Sequence, residues 1–494
     1  MRLKELLKGI EILESNISLD ESVTSPCSDS RKCTKDSVFV AIKGQNRNGN
    51  DYVDIATNNG AKCIVTDDEK VYFGRKSCIL VKNTRQAIAH MWSNYYKSPA
   101  ANMKIIGITG TNGKTSCAYF LYSIFRNAGK KVGLVSTVEC LINDIKIDTK
   151  GGGEVQDIDS AMTTPDPEVL YSLFSKMNKE SVEYVVMEVS SHSLELFKVD
   201  PIEFSCAIFT NLSSEHLDFH GDMKSYFNAK KKLFEKCKTA VVNCDDEYGK
   251  RLLSGDVCDF YSVSLESNAD FIAKNIENSN EGVSYDLHFR ERKMSVKTKI
   301  SGRYNVYNSM LALSAAFKFG IDEDEAIKGV YCLQSIPGRM EKIGDGVIID
   351  YGHTPRAFEN VLTSIQEIHK EGKIIALFGC GGDRDKAKRP EMGKIASNLA
   401  DTVIVTSDNS RNERKIDIII DILKGIEKEN FEVIPNRKEA INRSLCLKNK
   451  GDVVVLLGKG HENYEIDSSG KHYFSEKDIV REYLHDKNNS NNIF

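Results

Sequence analysis

The chain has 494 residues, and its 67 lysines and arginines against 71 aspartates and glutamates give a formal net charge of -4. At roughly 100–200 residues per domain, this length predicts about three domains, each large enough to bury its own core. The small negative charge argues against a nucleic-acid-binding protein that relies on a broad basic surface. With 40% hydrophobic residues, the composition also argues against intrinsic disorder.

Export and membrane signals are missing from the sequence. There is no apolar run of about 18 residues, the length that a membrane span needs. The first residues lack the uninterrupted apolar core of a signal peptide. The 13 cysteines include no CxxC pair and no spacing typical of a zinc site. These features favour a protein of the reducing cytoplasm, with thiols that act as small buried apolar groups.

Strand and helix patterns alternate along most of the chain. The first hundred residues predict strands at 38–42 and 63–65, a helix at 86–96 and a linker around 98–100. The middle of the chain predicts strands at 104–108, 131–135, 184–187, 206–209 and 240–243. This rhythm is typical of βαβ units on a mostly parallel sheet. Residues 266–300 are more polar and alternate, which indicates an antiparallel patch.

A second α/β run follows a natural hinge at Pro337 and Gly338. Its strands are predicted at 346–350, 373–378, 402–405 and 452–457. We therefore predict an α/β protein of three domains, at residues 1–101, 102–335 and 336–494.

The sharpest motif is Gly-Ile-Thr-Gly-Thr-Asn-Gly-Lys-Thr-Ser at residues 107–116, between a predicted strand and a predicted helix. Glycines let backbone N–H groups approach phosphate oxygens, and a helix N-terminus adds a favourable dipole. Lys114 can neutralise the β- and γ-phosphates of a nucleotide, and the Thr115 hydroxyl can hold Mg²⁺. The usual spacing has glycine where Ile108 stands. The alternative is a chance Gly-rich turn, but strand, Gly-Lys-Thr and helix together favour a nucleotide-binding loop.

Residues 109–115 resemble the ATP loop of the Mur ligases, the amide-forming synthetases of peptidoglycan precursors. Further segments resemble the branch of that family that adds the third residue of the peptide: 29–31, 163–165, 187–192, 211–218, 337–341, 350–355, 379–385, 408–411 and 458–462. The likeness covers nearly the whole chain in order. It implies an N-terminal UDP-binding α/β domain, a central ATPase domain with a phosphate loop on a parallel sheet, and a C-terminal Rossmann-like domain.

The resemblance implies four catalytic residues, Lys114, Glu188, His216 and Lys230, and a Mg²⁺ site formed by Thr115, Glu188, His216 and Lys230. A carboxylate and an imidazole that follow neighbouring parallel strands would meet above the phosphate loop. The alternative is an ion-paired glutamate and a surface histidine. In the family, the lysine at the place of Lys230 is carbamylated, which makes it an anion that can lie beside a dication. A solvated basic helix face is the alternative for residues 230–232.

ATP is the co-substrate that the resemblance implies. Its expected contacts are Gly110, Thr111, Asn112, Gly113, Lys114, Thr115, Ser116, Asn308, Arg339 and Asp350. A helix cap at Asn308 and a salt bridge at Arg339 are structural alternatives.

The expected acceptor is a UDP-MurNAc-dipeptide. The resemblance places it against Ser30, Gln45, Asn46, Arg47, Thr163, Thr164, Ser190 and Lys198. Lys198 replaces the usual arginine and Met162 a frequent asparagine, so the planar bidentate grip of arginine is lost. Ordinary turn chemistry is the alternative for Ser30 and Thr163.

The incoming amino acid is expected to contact Arg389, Asp408, Asn409, Ser410, Arg411, Gly458 and Glu462. Arg411 supplies the extra cation that the diacid meso-diaminopimelate needs and lysine does not. Three positions depart from the family: Ser410 replaces proline, Ala387 replaces glycine, and Arg356 stands where an acid is usual. Loss of the proline is expected to loosen the loop that carries Arg411.

Taken together, the resemblance implies an ATP-dependent carbon–nitrogen ligase of peptidoglycan synthesis. It would join meso-diaminopimelate to the D-Glu of UDP-MurNAc-L-Ala-D-Glu through an acyl phosphate. We expect a monomer in the bacterial cytoplasm that acts on small molecules, without nucleic acid or a membrane span. Three alternatives remain: the same chemistry with L-lysine or another diamino acid, a related ligase that extends glutamate tails on folate, and an inactive homologue that only binds the nucleotide.

Overall fold

The computed structural model describes residues 1–44, 47–148, 163–255, 258–344 and 346–491. Within these ranges the strands form sheets of five, eleven, six and two strands, with helices packed on them, so the predicted α/β class is confirmed. Single 3₁₀ turns lie at Ser30–Lys32, Gly49–Tyr52, Pro99–Asn102 and Phe234–Lys236. No helix in the described part of the chain is long and apolar enough to cross a membrane.

The first sheet has the order β1-β5-β4-β3-β2, and its strands are parallel except for β1. Its strands are β1 (Ile12–Ser15), β2 (Pro26–Cys27), β3 (Ser37–Val40), β4 (Ala61–Thr66) and β5 (Cys78–Val81). Its helices are α1 (Leu3–Leu6), α2 (Val53–Asn58), α3 (Glu69–Phe73) and α4 (Thr84–Tyr95). The side chain of Asn83 starts α4 by accepting the backbone N–H groups of Arg85 and Gln86.

The central sheet has the order β16-β15-β14-β13-β12-β11-β6-β10-β7-β8-β9. Its strands are β6 (Lys104–Thr109), β7 (Val132–Val135), β8 (Cys140–Ile142), β9 (Ile145–Ile147), β10 (Tyr184–Glu188), β11 (Cys206–Phe209), β12 (Thr239–Asn243), β13 (Asp259–Ser264), β14 (Phe271–Ser279), β15 (Gly282–Phe289) and β16 (Arg292–Thr298). Strands β7, β10, β6, β11, β12, β13 and β14 are parallel. The predicted antiparallel patch is the meander β14–β16.

The helices of this region pack the phosphate-binding loop in place. They are α5 (Lys114–Asn127), α6 (Pro167–Lys179), α7 (Ser191–Glu195), α8 (Leu217–His220), α9 (Met223–Lys231), α10 (Glu247–Leu253), α11 (Tyr304–Lys318) and α12 (Glu323–Cys332). Phe120 and Phe125 of α5 are fully buried in one apolar cluster with Ile106 and Ile108 of β6 and Met310 of α11. Because α5 is held on the sheet and by α11, the turn that precedes it has a fixed position.

The third sheet has the order β17-β18-β22-β19-β20-β21, parallel except for β17. Its strands are β17 (Glu341–Gly344), β18 (Val347–Asp350), β19 (Ile374–Phe378), β20 (Thr402–Val405), β21 (Phe431–Val433) and β22 (Val453–Leu457). A separate hairpin follows, formed by β23 (Tyr464–Asp467) and β24 (Gly470–Tyr473). The helices of this region are α13 (Pro355–Ile368), α14 (Lys388–Leu399), α15 (Lys415–Leu423), α16 (Arg437–Leu447) and α17 (Glu476–Asn491). The four predicted strands correspond to β18, β19, β20 and β22.

Candidate active site

A cavity of about 1510 Å³ opens where the strand ends of the central and third sheets face each other. Its walls come from the loop between β6 and α5, the ends of β10 and β11, the start of α11, and the loops after β18, β19, β20 and β22. Ligand crevices of open α/β sheets lie at these carboxyl ends. Because a typical small-molecule pocket measures about 300–1,000 Å³, this cavity has room for more than one substrate.

Two glycines shape the phosphate loop. Gly110 has a φ of 150°, and a Cβ built there would overlap the Thr210 hydroxyl. Gly113 has a φ of 86°, and a Cβ there would overlap the Asn308 amide. The loop can therefore approach its neighbours, and a nucleotide, only with glycine at these positions.

Lys114 folds back over the phosphate loop that precedes it. Its Nζ donates to the carbonyl oxygens of Gly110 at 3.0 Å and Thr111 at 2.9 Å. Burial lowers the pKa of Lys114, which Glu215 and Glu188 partly oppose. An ammonium in this position can turn from two backbone carbonyls to the phosphates of a bound nucleotide.

Lys230 brings a second ammonium to the same loop. Its Nζ donates to the Gly110 carbonyl at 2.8 Å, lies 4.6 Å from the centre of the Tyr226 ring, and only 2% of the residue is exposed. Burial, together with the charge of Lys114, lowers the pKa of Lys230 well below its usual value. A solvated basic face is therefore wrong for Lys230, because α9 turns this lysine inward.

Glu188 ends β10 beside the phosphate loop and is fully buried. Its two carboxylate oxygens accept hydrogen bonds from the backbone N–H of Thr137 at 3.0 Å and from its hydroxyl at 3.1 Å. The Thr137 hydroxyl lies 3.2 Å from that of Thr163, and Thr164 donates to the Glu188 carbonyl at 2.9 Å. The alternative of an ion-paired Glu188 is wrong, since these partners are threonines.

His216 follows β11 in a left-handed conformation, with a φ of 56°. Its Nε2 lies 3.7 Å from the carboxylate of Glu215, whose other oxygen is 3.0 Å from Nε2 of His353. The His216 side chain is 43% exposed on the cavity wall, as the surface-histidine alternative has it, and its partial burial lowers its pKa, which favours the neutral ring that can act as a ligand. Burial would raise the pKa of Glu215, but the hydrogen bond from His353 and the neighbouring cations lower it on balance.

The oxygen donors around the cavity suit a hard divalent cation. Thr115, Glu188 and Glu215 all line it, with hydroxyl and carboxylate oxygens of the kind that Mg²⁺ prefers. Within the described residues, no cluster of three or more His, Cys, Asp or Glu side chains could hold a metal ion by itself. This donor set fits Mg²⁺ sites that use one or two carboxylates together with substrate phosphates.

The residues expected to meet the nucleotide come from α11, the segment before β17 and the end of β18. The Asn308 amide donates to Asn305 Oδ1 at 2.9 Å within α11, so the alternative that Asn308 caps the helix is wrong. Arg339 donates to the Thr115 hydroxyl at 3.3 Å and stacks 4.4 Å from the centre of the Tyr351 ring. Arg339 forms no ion pair within the described ranges. Asp350 is buried and accepts two backbone N–H groups at 2.7 Å each, while burial raises its pKa.

At the opposite end, a buried lysine organises the residues expected to meet the amino acid. Nζ of Lys459 lies 3.1 Å from Asn409 Oδ1, 3.5 Å from Asp408 Oδ1 and 3.6 Å from Glu462 Oε2. The Asn409 amide in turn donates to Glu462 at 2.9 Å. Lys459 and Arg437 lower the pKa of Asp408 against its burial, whereas burial raises that of Glu462.

Arg411 lines the cavity. Its Nη1 donates to the carbonyl oxygens of Gly382 at 2.9 Å and Asn409 at 3.2 Å, and its backbone N–H donates to the Ile466 carbonyl of β23 at 3.1 Å. Ser410 is 2% exposed and the segment is tied to the hairpin, so packing contacts hold this loop where the family has a proline.

Arg389 has a different environment from Arg411. It is fully buried and pairs with Glu413 at 2.9 Å and Asp421 at 3.0 Å. Its guanidinium therefore braces the loop after β19 and does not face the cavity.

Most of the predicted site residues share the cavity. They are Thr111, Asn112, Gly113, Lys114, Thr115, Ser116, Thr163, Glu188, Ser190, Lys198, His216, Asn308, Arg339, Asp350, Asp408, Asn409, Arg411, Gly458 and Glu462. The other described candidates do not line it: Ser30, Arg47, Gly110, Thr164, Lys230, Arg389 and Ser410. Gln45 and Asn46 lie outside the described residues, as does Met162.

Ser30 lies apart from the cavity in a 3₁₀ turn, which matches the turn-chemistry alternative. The side chain of Asp29 caps this turn by accepting the backbone N–H of Arg31, and the Ser30 carbonyl accepts the side-chain amide of Asn59 at 2.9 Å.

Sequence reasoning missed several residues of the site, above all Glu215 and Lys459. Each stands next to a residue that the sequence did single out, His216 and Gly458. The sequence did offer a signal for Lys459, because this lysine stands between two glycines. In the structure both glycines have positive φ values, 105° and 56°, and this backbone turns the lysine inward.

The chain matches known proteins along its length. Residues 24–96 match the Mur ligase family catalytic domain, 108–316 the Mur ligase middle domain, and 338–460 the Mur ligase glutamate ligase domain. It is 39% identical to the UDP-N-acetylmuramoyl-L-alanyl-D-glutamate--2,6-diaminopimelate ligase 1 of Clostridium acetobutylicum, over 98% of this chain and 99% of that one. It is 40% identical to the UDP-N-acetylmuramoyl-L-alanyl-D-glutamate--2,6-diaminopimelate ligase of Caldanaerobacter subterraneus, again over 98% of this chain and 99% of that one.

Solved structures agree with these relatives. A structure titled UDP-N-acetylmuramoyl-L-alanyl-D-glutamate--2,6-diaminopimelate ligase has a TM-score of 0.69 and 28% identity, and covers 99% of both chains. A folylpolyglutamate synthase from Mycobacterium tuberculosis has a TM-score of 0.65 at 19% identity, covers 76% of this chain and 92% of its own, and shares the fold alone. The chain therefore belongs to the Mur ligase family of ATP-dependent ligases that act in peptidoglycan synthesis.

Proposed function

We propose that this ligase adds meso-2,6-diaminopimelate to the D-Glu of UDP-MurNAc-L-Ala-D-Glu, with ATP converted to ADP and phosphate. The observation that carries the proposal is the position of Arg411, which lines the same cavity as the phosphate loop. A diacid-diamine brings one carboxylate that lysine lacks, and a guanidinium is its matching partner. The full-length relatives named as diaminopimelate ligases support this choice.

In the first step, the acceptor carboxylate attacks the γ-phosphorus of ATP, and ADP leaves. The transferred group carries dispersed negative charge, so catalysis depends on positioning and charge neutralisation. Lys114 lies at the start of α5, and we assign it to the phosphates together with Arg339, which comes from the segment before β17. Asn308 would hold the base, and Asp350 would lie near the ribose.

In the second step, the amine attacks the acyl phosphate, and phosphate leaves through a tetrahedral intermediate. Arg411 would hold the distal carboxylate of the amino acid, while Asp408 and Glu462 attract its amino groups. The acyl phosphate must be kept from water, which the cavity between the two sheets favours. We assign the acceptor end to Thr163, Thr164, Ser190 and Lys198.

We propose Mg²⁺ as the metal, held by Thr115, Glu188 and His216. When bound, Mg²⁺ would supply positive charge that offsets the negative charge of the phosphate and carboxylate oxygens. Lys230 as an ammonium does not fit beside a dication, so we propose that it is carbamylated. Its burial and its closeness to Lys114 favour the neutral amine that such a modification requires.

The proposed domain roles follow the predicted boundaries: UDP binding at 1–101, ATP binding at 102–335 and amino-acid binding at 336–494. We propose that the protein acts as a monomer. Since its relatives are bacterial, we place the reaction in the bacterial cytoplasm.

The test is phosphate release from ATP with UDP-MurNAc-L-Ala-D-Glu, with meso-diaminopimelate and L-lysine in parallel. Release with diaminopimelate alone supports the proposal, and release with lysine alone overturns the role of Arg411. No release with either amino acid contradicts the ligase reaction itself. Chelation of Mg²⁺ should abolish release, and added Mg²⁺ should restore it.

A pair of variants sharpens this test. Arg411→Ala should raise the KM for diaminopimelate by about tenfold to a hundredfold, because a charged hydrogen-bonding partner is removed. Arg414→Ala is the matched control, since Arg414 is 78% exposed and its ion pair is with the neighbouring Asp417. An unchanged KM in Arg411→Ala would place the amino acid elsewhere.

A further inference from the structure

Arg85 is a cation on the cavity wall that no sequence motif singles out. It is the second residue of α4, half-buried, and lines the large cavity. Its Nη2 donates to the Lys43 carbonyl at 2.8 Å. This bond uses one N–H of the guanidinium, and an arginine side chain carries five N–H donors in a fixed planar arrangement. Most of these donors are therefore left for a ligand.

The acids near Arg85 already have other partners. Asp166 pairs with Nζ of Lys198 at 2.7 Å. Asp67 accepts the backbone N–H of Thr84 at 3.3 Å and its hydroxyl at 2.9 Å. Within the described ranges, Arg85 forms no ion pair of its own. Asp166 and Asp67 thus favour the charged form of Arg85 from a distance, and among the described residues neither is in direct contact with its guanidinium.

The surroundings of Arg85 indicate which substrate it meets. Lys198, Thr163 and Ser190 line the same cavity and belong to the proposed acceptor end, whereas the phosphate loop has its own Lys114. Lys198 is 6% exposed and committed to Asp166, so it offers a point charge that is already neutralised. An arginine fork can grip two oxygens of a phosphate or a carboxylate at once.

We infer that Arg85 binds an anionic group of the acceptor nucleotide and supplies the bidentate grip that Lys198 does not. The inference rests on the proposed function, because it takes the acceptor from there. The acceptor carries such oxygens in two places, the diphosphate and the peptide carboxylates. Either group presents paired oxygens to the guanidinium.

Calorimetric titration of the acceptor into Arg85→Gln, Arg85→Lys and wild type tests this inference. We expect Arg85→Gln to weaken acceptor binding by about tenfold to a hundredfold and Arg85→Lys to recover part of it. ATP affinity should not change in either variant. Lys82→Gln is the matched control, because Lys82 is 68% exposed, pairs with Glu11, lies outside the cavity and stands three residues before Arg85.

Titration of UDP alone separates the two anionic groups. If Arg85→Gln weakens UDP binding by the same factor as acceptor binding, Arg85 contacts the diphosphate. If UDP affinity is unchanged, Arg85 contacts a peptide carboxylate. Wild-type affinity for the whole acceptor in both Arg85 variants would overturn the inference. If wild type itself binds no acceptor, the proposed function fails instead.

Discussion

Nζ of Lys459 lies 3.1 Å from Oδ1 of Asn409, and both side chains are buried beside the loop that carries Arg411. The same ammonium is within 3.6 Å of carboxylate oxygens of Asp408 and Glu462. Two acids in a buried site repel each other unless a cation lies between them. Lys459 therefore holds together the three side chains that we assign to the amino acid, without lining the cavity itself.

We expect Lys459→Met to raise the KM for the incoming amino acid at least about tenfold while the KM for ATP stays unchanged. Removing one partner from a buried charge cluster costs about 3–5 kcal/mol, so urea unfolding should show a loss of that order. The split between the two KM values separates positioning from a general loss of fold.

Lys477→Met is the matched control for this lysine. Lys477 pairs with Glu341 at 2.7 Å, is 26% exposed, and does not line the cavity, so its loss should cost about 1 kcal/mol or less. If Lys459→Met lowers the stability to urea but leaves the KM for the amino acid unchanged, the role of Lys459 is purely structural.

Much of the fold could be predicted because buried parallel strands are continuous apolar runs. The strands at 374–378 and 453–457 have every residue buried, and such runs are visible in a single sequence. The short hairpin β23–β24 was not predicted, since its alternation is partly polar and its role is to hold the Arg411 loop. Contacts of that kind depend on tertiary structure and leave no local pattern.

The site was predictable where a motif fixes backbone geometry, as in the phosphate loop. The position of a side chain was not predictable where it depends on partners that are distant in the sequence. Arg389 is drawn away from the cavity by Glu413 and Asp421, which lie 24 and 32 residues further along the chain. No local pattern separates the three consecutive lysines at 230–232, so the sequence singled out Lys230 through the family resemblance alone, and the packing of α9 shows that it is buried.

The second prediction concerns Gly110→Ala in the phosphate loop. The new Cβ would overlap the Thr210 hydroxyl, and the φ of 150° disfavours any side chain. We expect a destabilisation of about 1–3 kcal/mol in urea unfolding and a clear rise in the KM for ATP. Gly129→Ala is the control at the other end of α5, where φ is 69° and no atom lies within 4 Å. Equal effects on ATP from both variants would contradict a specific role for the loop shape.

The third prediction concerns carbamylation of Lys230. After equilibration with isotope-labelled bicarbonate, NMR should show a carbamate carbon in wild type that is missing in Lys230→Ala. Lys231→Ala, which changes the neighbouring half-buried lysine, should keep the signal. A carbamate signal that survives in Lys230→Ala would assign the modification to another amine.

The fourth prediction concerns acid stability through Glu413. Hydrogen bonds from Arg389 lower the pKa of Glu413 to about 2 from a usual value of 4.5. Because the folded pKa is below the unfolded one, this stabilisation is present above about pH 4.5 and is lost as the pH falls towards about 2. Glu413→Gln should therefore be less stable than wild type by at most about 3 kcal/mol near neutral pH.

The difference between Glu413→Gln and wild type should shrink as the pH falls, because protonated Glu413 and glutamine are both neutral. Urea unfolding of both proteins at about pH 7 and about pH 3 measures this difference. The higher pH lies above both pKa values of Glu413, and the lower pH lies between the folded and unfolded values. Glu427→Gln is the control, as Glu427 is 58% exposed and its pair with Lys394 lies at the surface. A difference independent of pH would mean that Glu413 acts through its shape and not its charge. The buried Arg389 would then depend on Asp421 for its counter-ion.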